Sequence, residues 1–439
     1  GDCEFDAVTV SSGDTLDFNG QRAEFSGTLD NSGNMDIDGA LIFAADLNLD
    51  STFDNESGLN AVVMTGATSF DFGDGELTSG TFMINSTGTA TMGGIAHGGN
   101  LLVGAGTLDM NNTSNTFADL TIATGATMTA GSGITTVAGD FTTSGGLIGK
   151  SALNANDTHA AYGTATSYAS SNIQSLTMSG WVKMNSDFSS QETNQAVMRQ
   201  NDNLLMVRSD GKIYAGLELS KADNATFSYP DCFSAAGLVT AGKWHHIALT
   251  WKASEGLKAY LDGKLVAEKN DATTGGDFTH LRRRDGTSSV VGGRDAGSSI
   301  NSQLAGTVAQ AARWQHTDAS AAKSAAQIRT EMFQKASELS STTGLYLWFQ
   351  FDNGTGTTAI DSSPNTTNFT VGTIAKSAEA SWAGAGTFDE GSTSTLKMTG
   401  TDKRWYMGSY NNQQVANFTV DGTITLQSIG YGYGAVYFT

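Results

Sequence analysis

Residues 243–268 read KWHHIALTWKASEGLKAYLDGKLVAE. Two alternating strands are written here. In the first, His246, Ala248 and Thr250 face one way and Ile247, Leu249 and Trp251 the other. In the second, Leu257, Ala259 and Leu261 oppose Lys258 and Tyr260, and Asp262-Gly263 then supplies a tight hairpin turn into Leu265-Val266. His245 and His246 are strand neighbours, so their side chains leave on opposite faces. That predicts one in the core and one in solvent, and it argues against joint chelation of a metal.

The flanking sequence has the same texture. IQSLTMSGWVKM places Ile173, Leu176, Met178 and Trp181 on a buried strand, and NQAVMRQ and NLLMVRSDGKIYAGLEL follow as a meander turning at Asp210-Gly211. SSVVGGRD, GTVAQAARW and, later, LYLWFQF add further strands. Trp181, Trp244, Trp251, Trp314 and Trp348 fall on strand positions and are expected in the core. One helix is predicted, in DASAAKSAAQIRTEMFQKAS, with Asp318 as its cap and Ile328, Met332 and Phe333 on its apolar face.

These pieces, in this order, resemble a laminin G-like domain of the concanavalin A-like superfamily, over about residues 151–375. LTMSGWVKM resembles an early core strand of that family, GKWHHIALTW with LKAYLDGKLVAE its central hairpin, and FDNGTGTTAIDSSP its Gly-Thr-Thr-Asp-Ser-Ser segment. The resemblance implies a jelly roll that binds glycans or proteins on an extracellular or virion surface. It also implies calcium at the rim, held by acidic and backbone oxygens. The rim-like acids here are Asp157, Asp285, Asp295 and Asp352.

Residues 1–150 are written differently. Short strands such as Val8–Val10, Met35–Ile37, Phe82–Ile84, Leu101–Val103 and Leu120–Ile122 recur every 6–10 residues, separated by Gly-, Ser-, Asn- and Asp-rich turns. This suits a parallel β-solenoid, in which each coil buries its small apolar face only by stacking on its neighbours; a β-sandwich is the alternative. The texture returns over 378–439 and is similar to repeats in structural proteins of marine phages and in bacterial surface proteins. The predicted architecture is therefore all-β: an acidic repeat region (1–150), a laminin G-like jelly roll with one short helix (151–377), and the repeat region again (378–439).

Charge and composition narrow the function. The net charge is −20, and residues 1–150 carry 19 acids against Arg22 and Lys150 alone. Such a surface repels nucleic acid and anionic lipid. No apolar run is long enough for a membrane helix. Cys3 and Cys232 are the only cysteines, so a disulfide framework is excluded, and they lie in different predicted domains, so no bridge between them is expected. The chain opens on Gly1 without a signal-peptide pattern, the expectation for a processed product or a fragment of a longer chain.

Catalytic signals are sparse. The Glu-x-Asp-x-x-Glu and Glu-x-Asp-x-Glu strands of concanavalin-type glucanases, which set two carboxylates about 5 Å apart, do not occur. Asp71, Asp74 and Glu76 cluster in FDFGDGEL, a turn, and His97, His159, His280 and His316 are scattered. Candidate contact residues are instead the basic run Arg282, Arg283 and Arg284, for an acidic glycan or a neighbouring acidic subunit, and Trp382, Trp405, Tyr406 and Tyr410, in loop-like context. Tyr431, Tyr433 and Tyr437 alternate with glycines and alanine in a last strand whose edge invites another chain. The sequence reads as a non-enzymatic structural or adhesive protein, a virion fibre or capsid or tail decoration displaying a lectin-like jelly roll. A bacterial secreted or cell-surface adhesin or filament with a carbohydrate-binding module is the alternative, and a glycosidase or lyase the less favoured one. The partners expected are further copies or other subunits of the same particle and a cell-surface glycan.

Overall fold

The computed structural model describes residues 2–49, 53–54, 61–70, 80–93, 98–164, 172–270, 278–282, 288–389, 393–408, 412–429 and 435–438. The chain divides into two units, Gly1–Lys150 with Gly384–Thr439, and Ser151–Ala383.

The first unit is a parallel β-solenoid. Its ladder can be followed residue by residue: Cys3 pairs with Ala23, and the same column continues through Ile42, Val62, Phe82, Leu101, Leu120, Phe141, Trp405 and Leu426. Within the continuous stretches, successive members lie 19–21 residues apart. Fully described coils hold two or three strands, for example Leu120–Ala123, Thr127–Thr129 and Ile134–Val137, or Arg22–Asn31 and Asn34–Asp36, where one strand is long. No β-sandwich forms in this unit among the described residues. Between Phe141–Gly145 and Thr387–Asp389, consecutive strands of one coil, the chain makes its excursion into the second unit.

Stacking explains the composition. Ala23, Ile42, Val62, Phe82, Leu101, Leu120, Phe141 and Trp405 are each at most 1% exposed, because every coil is covered by two others. At the corners, successive backbones nearly touch. A Cβ on Gly66 would lie 1.9 Å from the carbonyl oxygen of Ala45, and one on Gly106 (φ +73°) 2.4 Å from that of Gly88. The acids serve the turns. Asp17, Asp36 and Asp109 accept the N–H two residues on, from Asn19, Asp38 and Asn111, and Asp119 takes the N–H of Asp140 in the next coil at 2.7 Å.

The second unit packs two antiparallel sheets face to face. The seven-stranded sheet runs 153–154, 306–316, 175–184, 244–252, 256–261, 264–269, with 345–349 also on 306–316. The eight-stranded sheet runs 231–233, 213–216, 203–208, 194–200, 288–291, 159–164, 369–373, 358–359. Ile247, Leu249, Trp251, Leu257 and Ala259 of the first meet Leu205, Val207, Ile213, Ala215 and Val371 of the second in one core. The hairpin turn at Asp262-Gly263 has positive φ at both residues (49° and 76°), as a two-residue turn of this hand requires.

The helix is shorter than the sequence suggested and starts later. It spans Ala325–Glu331, and its cap is Ser324, in a capping box with Gln327, not Asp318. The Asp318 carboxylate is engaged six residues earlier, accepting from Ser320 N and Oγ at 2.8 Å each. Ile328 seats the helix on Ala248 and Tyr260, on the outer face of the seven-stranded sheet.

Candidate functional site

The helix covers one outer sheet face, so the outer face of the eight-stranded sheet is the one built differently. Along 203–208, Leu205 and Val207 enter the core while Leu204 and Met206 face outward with Ala196 and Tyr214. Cys232 points inward and its neighbour Phe233 outward, 44% exposed. The Phe233 ring lies 4.8 Å from that of Tyr214, centroid to centroid, and the Arg208 guanidinium carbon lies 5.5 Å from the Phe233 centroid.

Charged groups flank this aromatic pair. Asp202 accepts from Arg199 at 3.2 Å and faces Arg294 at 3.8 Å, and the Arg294 side chain is 42% exposed. Burial pushes the Tyr214 hydroxyl above its usual value, followed by the field of Asp231, with Arg294 and Asp202 also felt. The phenol is therefore a neutral hydrogen-bond donor at ordinary pH. Asp210, in the adjoining turn, is paired with Lys212 at 2.9 Å and Arg208 at 3.7 Å. An exposed ring backed by a second ring, with a guanidinium–carboxylate pair beside it, can stack on an apolar C–H face and hydrogen-bond polar substituents around it. Elsewhere in this unit an open groove of about 480 Å³ is lined by His316, Asp318, Tyr346 and Asn365 but offers no exposed ring.

The residues singled out from sequence are distributed differently. Arg282 is built into the fold: it pairs with the buried Glu218 and lies 3.4 Å over the Phe227 ring. Trp382 is half-buried, donates from Nε1 to the Gly356 carbonyl at 2.9 Å and packs against the core. Trp405 and Tyr406 sit in strand Thr395–Gly408, 0% and 4% exposed, which corrects their reading as a loop surface. Their place in the stack was hidden because their ladder partners, Phe141 and Thr142, are more than 260 residues away. Arg283, Arg284, Asp285, Tyr410, Asp71, Asp74, Glu76, His97, Tyr431 and Tyr433 lie outside the described residues. His245 and His246 are both buried (8% and 4%), contrary to the expectation of one in solvent, because the helix covers the face that His246 occupies.

Of the acids considered for calcium, the described Asp157, Asp295 and Asp352 do not converge on one site. Burial would raise the Asp295 carboxyl, but hydrogen bonds from Lys376, Ser288 and Gly297 N hold it below its usual value, so a cationic partner is already in place. Asp157 is raised by burial and by Asp187, and Asp352 is half-buried. Among the described residues no three His, Cys, Asp or Glu side chains converge. Tyr214, Phe233, Asp202 and Arg294 were missed, although period-two reading of NLLMVRSDGKIYAGLEL was enough to put Leu204, Met206 and Tyr214 on one face.

With this geometry in view, one comparison decides the class of the second unit. Residues 156–329 match the family model described as the concanavalin A-like lectin/glucanases superfamily. The second unit contains a concanavalin A-like domain. Among solved structures, the chain is similar to a Bacteroides ovatus protein described as carbohydrate-binding (14% identity, 51% of this chain, 61% of that one, TM-score 0.35). It is also similar to the binding domain of botulinum neurotoxin serotype D (15%, 36% and 35%, TM-score 0.25). A third is the CBM40 of the Ruminococcus gnavus IT-sialidase bound to α2,6-sialyllactose (14%, 36% and 88%, TM-score 0.23). The chain spans less than two thirds of the first two of these structures. No curated protein sequence matches it. Among the described residues of the chain that carries this concanavalin A-like domain, no helix is long and apolar enough to cross a membrane.

Proposed function

We propose that this chain is a non-enzymatic structural and adhesive protein of an extracellular surface, whose concanavalin A-like domain binds a glycan on the outer face of its eight-stranded sheet. The observation that carries this reading is Phe233, an exposed ring backed by Tyr214 and flanked by Arg208 and the Asp202–Arg294 pair. A solvent-facing ring of this kind loses little on desolvation and offers a flat apolar platform to a pyranose. The solenoid unit supplies a rigid, repetitive carrier. The setting we favour is a virion fibre or a capsid or tail decoration. A bacterial surface filament would use the same two parts.

Glycan-array screening followed by calorimetric titration of the best hit tests this. Phe233→Ala should weaken binding by about tenfold or more, the scale of one lost stacking contact. Arg294→Ala should also weaken it, while the exposed Leu265→Ala should not. Absence of any glycan ligand, or a ligand whose binding ignores Phe233 and Arg294, overturns the assignment. Mass spectrometry of the recovered glycan should show it unchanged; cleavage would overturn the non-enzymatic reading.

A further inference from the structure

The face that carries Phe233 extends beyond that ring. Residues 227–233 read FSYPDCF, and burial alternates along them: Pro230 and Cys232 are buried, while Tyr229 and Phe233 are 59% and 44% exposed. Tyr229, Asp231 and Phe233 therefore share the outer face. The ladder keeps this segment extended. Tyr214 pairs with Phe233 and Gly216 with Asp231, and the Leu217 N–H donates to the Pro230 carbonyl at 2.9 Å. Leu217 enters the core, so the next residue, Glu218, turns to the outer side, where the Tyr229 hydroxyl donates to its Oε1 at 3.1 Å. At about 3.3 Å of rise per extended residue, Tyr229 and Phe233 are anchored roughly 13 Å apart.

Between the two rings the floor is low. Gly216 has no side chain, and a Cβ there would lie 2.7 Å from Tyr214 Oη. The Tyr214 phenol thus lies along the sheet, with its ring against Phe233 and its hydroxyl over Gly216, and Asp231 is the cross-strand neighbour of that glycine. The result is a trough with an exposed ring at each end and a hydroxyl and a carboxylate in the middle. Building on the glycan reading of Phe233, we propose that this trough takes an internal stretch of a linear, uncharged polysaccharide. One sugar stacks on Phe233 and another on Tyr229, and the stretch between them is hydrogen-bonded by Tyr214 Oη and the Asp231 carboxylate. A single pyranose is too short to touch both rings. The central carboxylate accepts from sugar hydroxyls and repels an anionic unit placed against it. Two stacking positions on one chain reinforce each other, because binding at the first presents the second sugar at high effective concentration.

Calorimetric titration of the full chain with cello-, manno- and chito-oligosaccharides of one to six residues tests this. At least one series should bind, and its hexamer should bind about tenfold or more tightly than its dimer. Tyr229→Ala should remove about tenfold from the hexamer and leave the dimer within about twofold. Tyr229→Phe, which keeps the ring and loses only the bond to Glu218, should bind like the unmodified chain. Gly216→Ala, which displaces Tyr214 Oη, should weaken the hexamer with native circular dichroism retained. Alginate fragments of the same lengths, which are anionic, should bind about tenfold or more weakly than the best uncharged series. Binding that needs Phe233 but does not rise with chain length, or a hexamer indifferent to Tyr229→Ala, overturns the trough and leaves the Phe233 platform standing. Tighter binding of alginate overturns the uncharged ligand. If none of the three uncharged series binds, the trough falls, and the glycan array decides whether the Phe233 platform falls with it.

Discussion

His245 Nδ1 lies 3.0 Å from one carboxylate oxygen of Asp262, and the other oxygen accepts the His246 N–H at 2.7 Å. The Thr240 N–H donates to His245 Nε2 at 3.2 Å, so the proton sits on Nδ1 and is donated to Asp262. One turn aspartate thus ties the Asp262-Gly263 hairpin to strand Trp244–Lys252. Thr240 Oγ1 is also 3.1 Å from Nε2, but the lone pair there is already taken by the backbone N–H, so this is a structural clamp and not an activated hydroxyl.

Replacing that aspartate measures the clamp. Asp262→Asn keeps a residue tolerant of positive φ but loses the charged acceptor, and should lower stability by about 1–3 kcal/mol. Asp262→Ala, which also strains the turn, should cost more than Asn. Denaturant titration of both variants checks this; equal stability to the unmodified chain would refute the clamp.

His246 should make the domain acid-sensitive. Burial depresses its imidazole to about 4, against which Asp262 acts weakly in the other direction. The unfolded chain therefore binds the proton more readily than the folded one. The stability this group confers is fully present above about pH 6.5 and is lost as pH falls from there towards 4, by about 3 kcal/mol in all. Melting temperature followed from pH 7 to pH 4 should drop more steeply in the unmodified chain than in His246→Gln. Parallel curves for the two would exclude His246 as the cause.

The solenoid stack predicts a position-dependent cost. Phe141→Ala, in the middle of the column and ringed by Phe388 and Trp405, should destabilise by about 3–5 kcal/mol. Leu426→Ala, at a half-exposed position of the same column, should cost less than about 1 kcal/mol. Similar values for the two would contradict the ladder.

Arg282 should behave as a structural residue. Removing it leaves Glu218, 1% exposed, as a buried carboxylate without its ion pair, a loss of about 3–5 kcal/mol. Arg282→Ala is thus expected to lower the melting temperature markedly, whereas Arg294→Ala, at an exposed guanidinium, should leave it nearly unchanged. A stable Arg282→Ala protein would return this arginine to the list of ligand contacts.

Short-range chemistry carried much of the concanavalin A-like domain in plain view. Alternation in KWHHIALTW put Ile247, Leu249 and Trp251 in the core, and Asp262-Gly263 announced a turn that only residues tolerant of positive φ adopt. The all-β class and the coil texture of the first unit were legible for the same reason: strand alternation and turn chemistry act over a few residues. What the sequence alone did not decide depends on partners far along the chain. The 19–21-residue period was obscured because Ile42, Val62, Phe82 and Leu101 share a column without sharing an identity; the stack asks only for an apolar side chain of workable size. Trp405 reads as exposed until Phe141 is brought beside it, and His246 until the helix covers it. Arg282 reads as a ligand contact until Glu218 is found beneath it, and Phe233 is anonymous until Tyr214 backs it. Burial belongs to the assembled sheets and coils, so only the tertiary structure separated the side chains that hold the fold from those that face a partner.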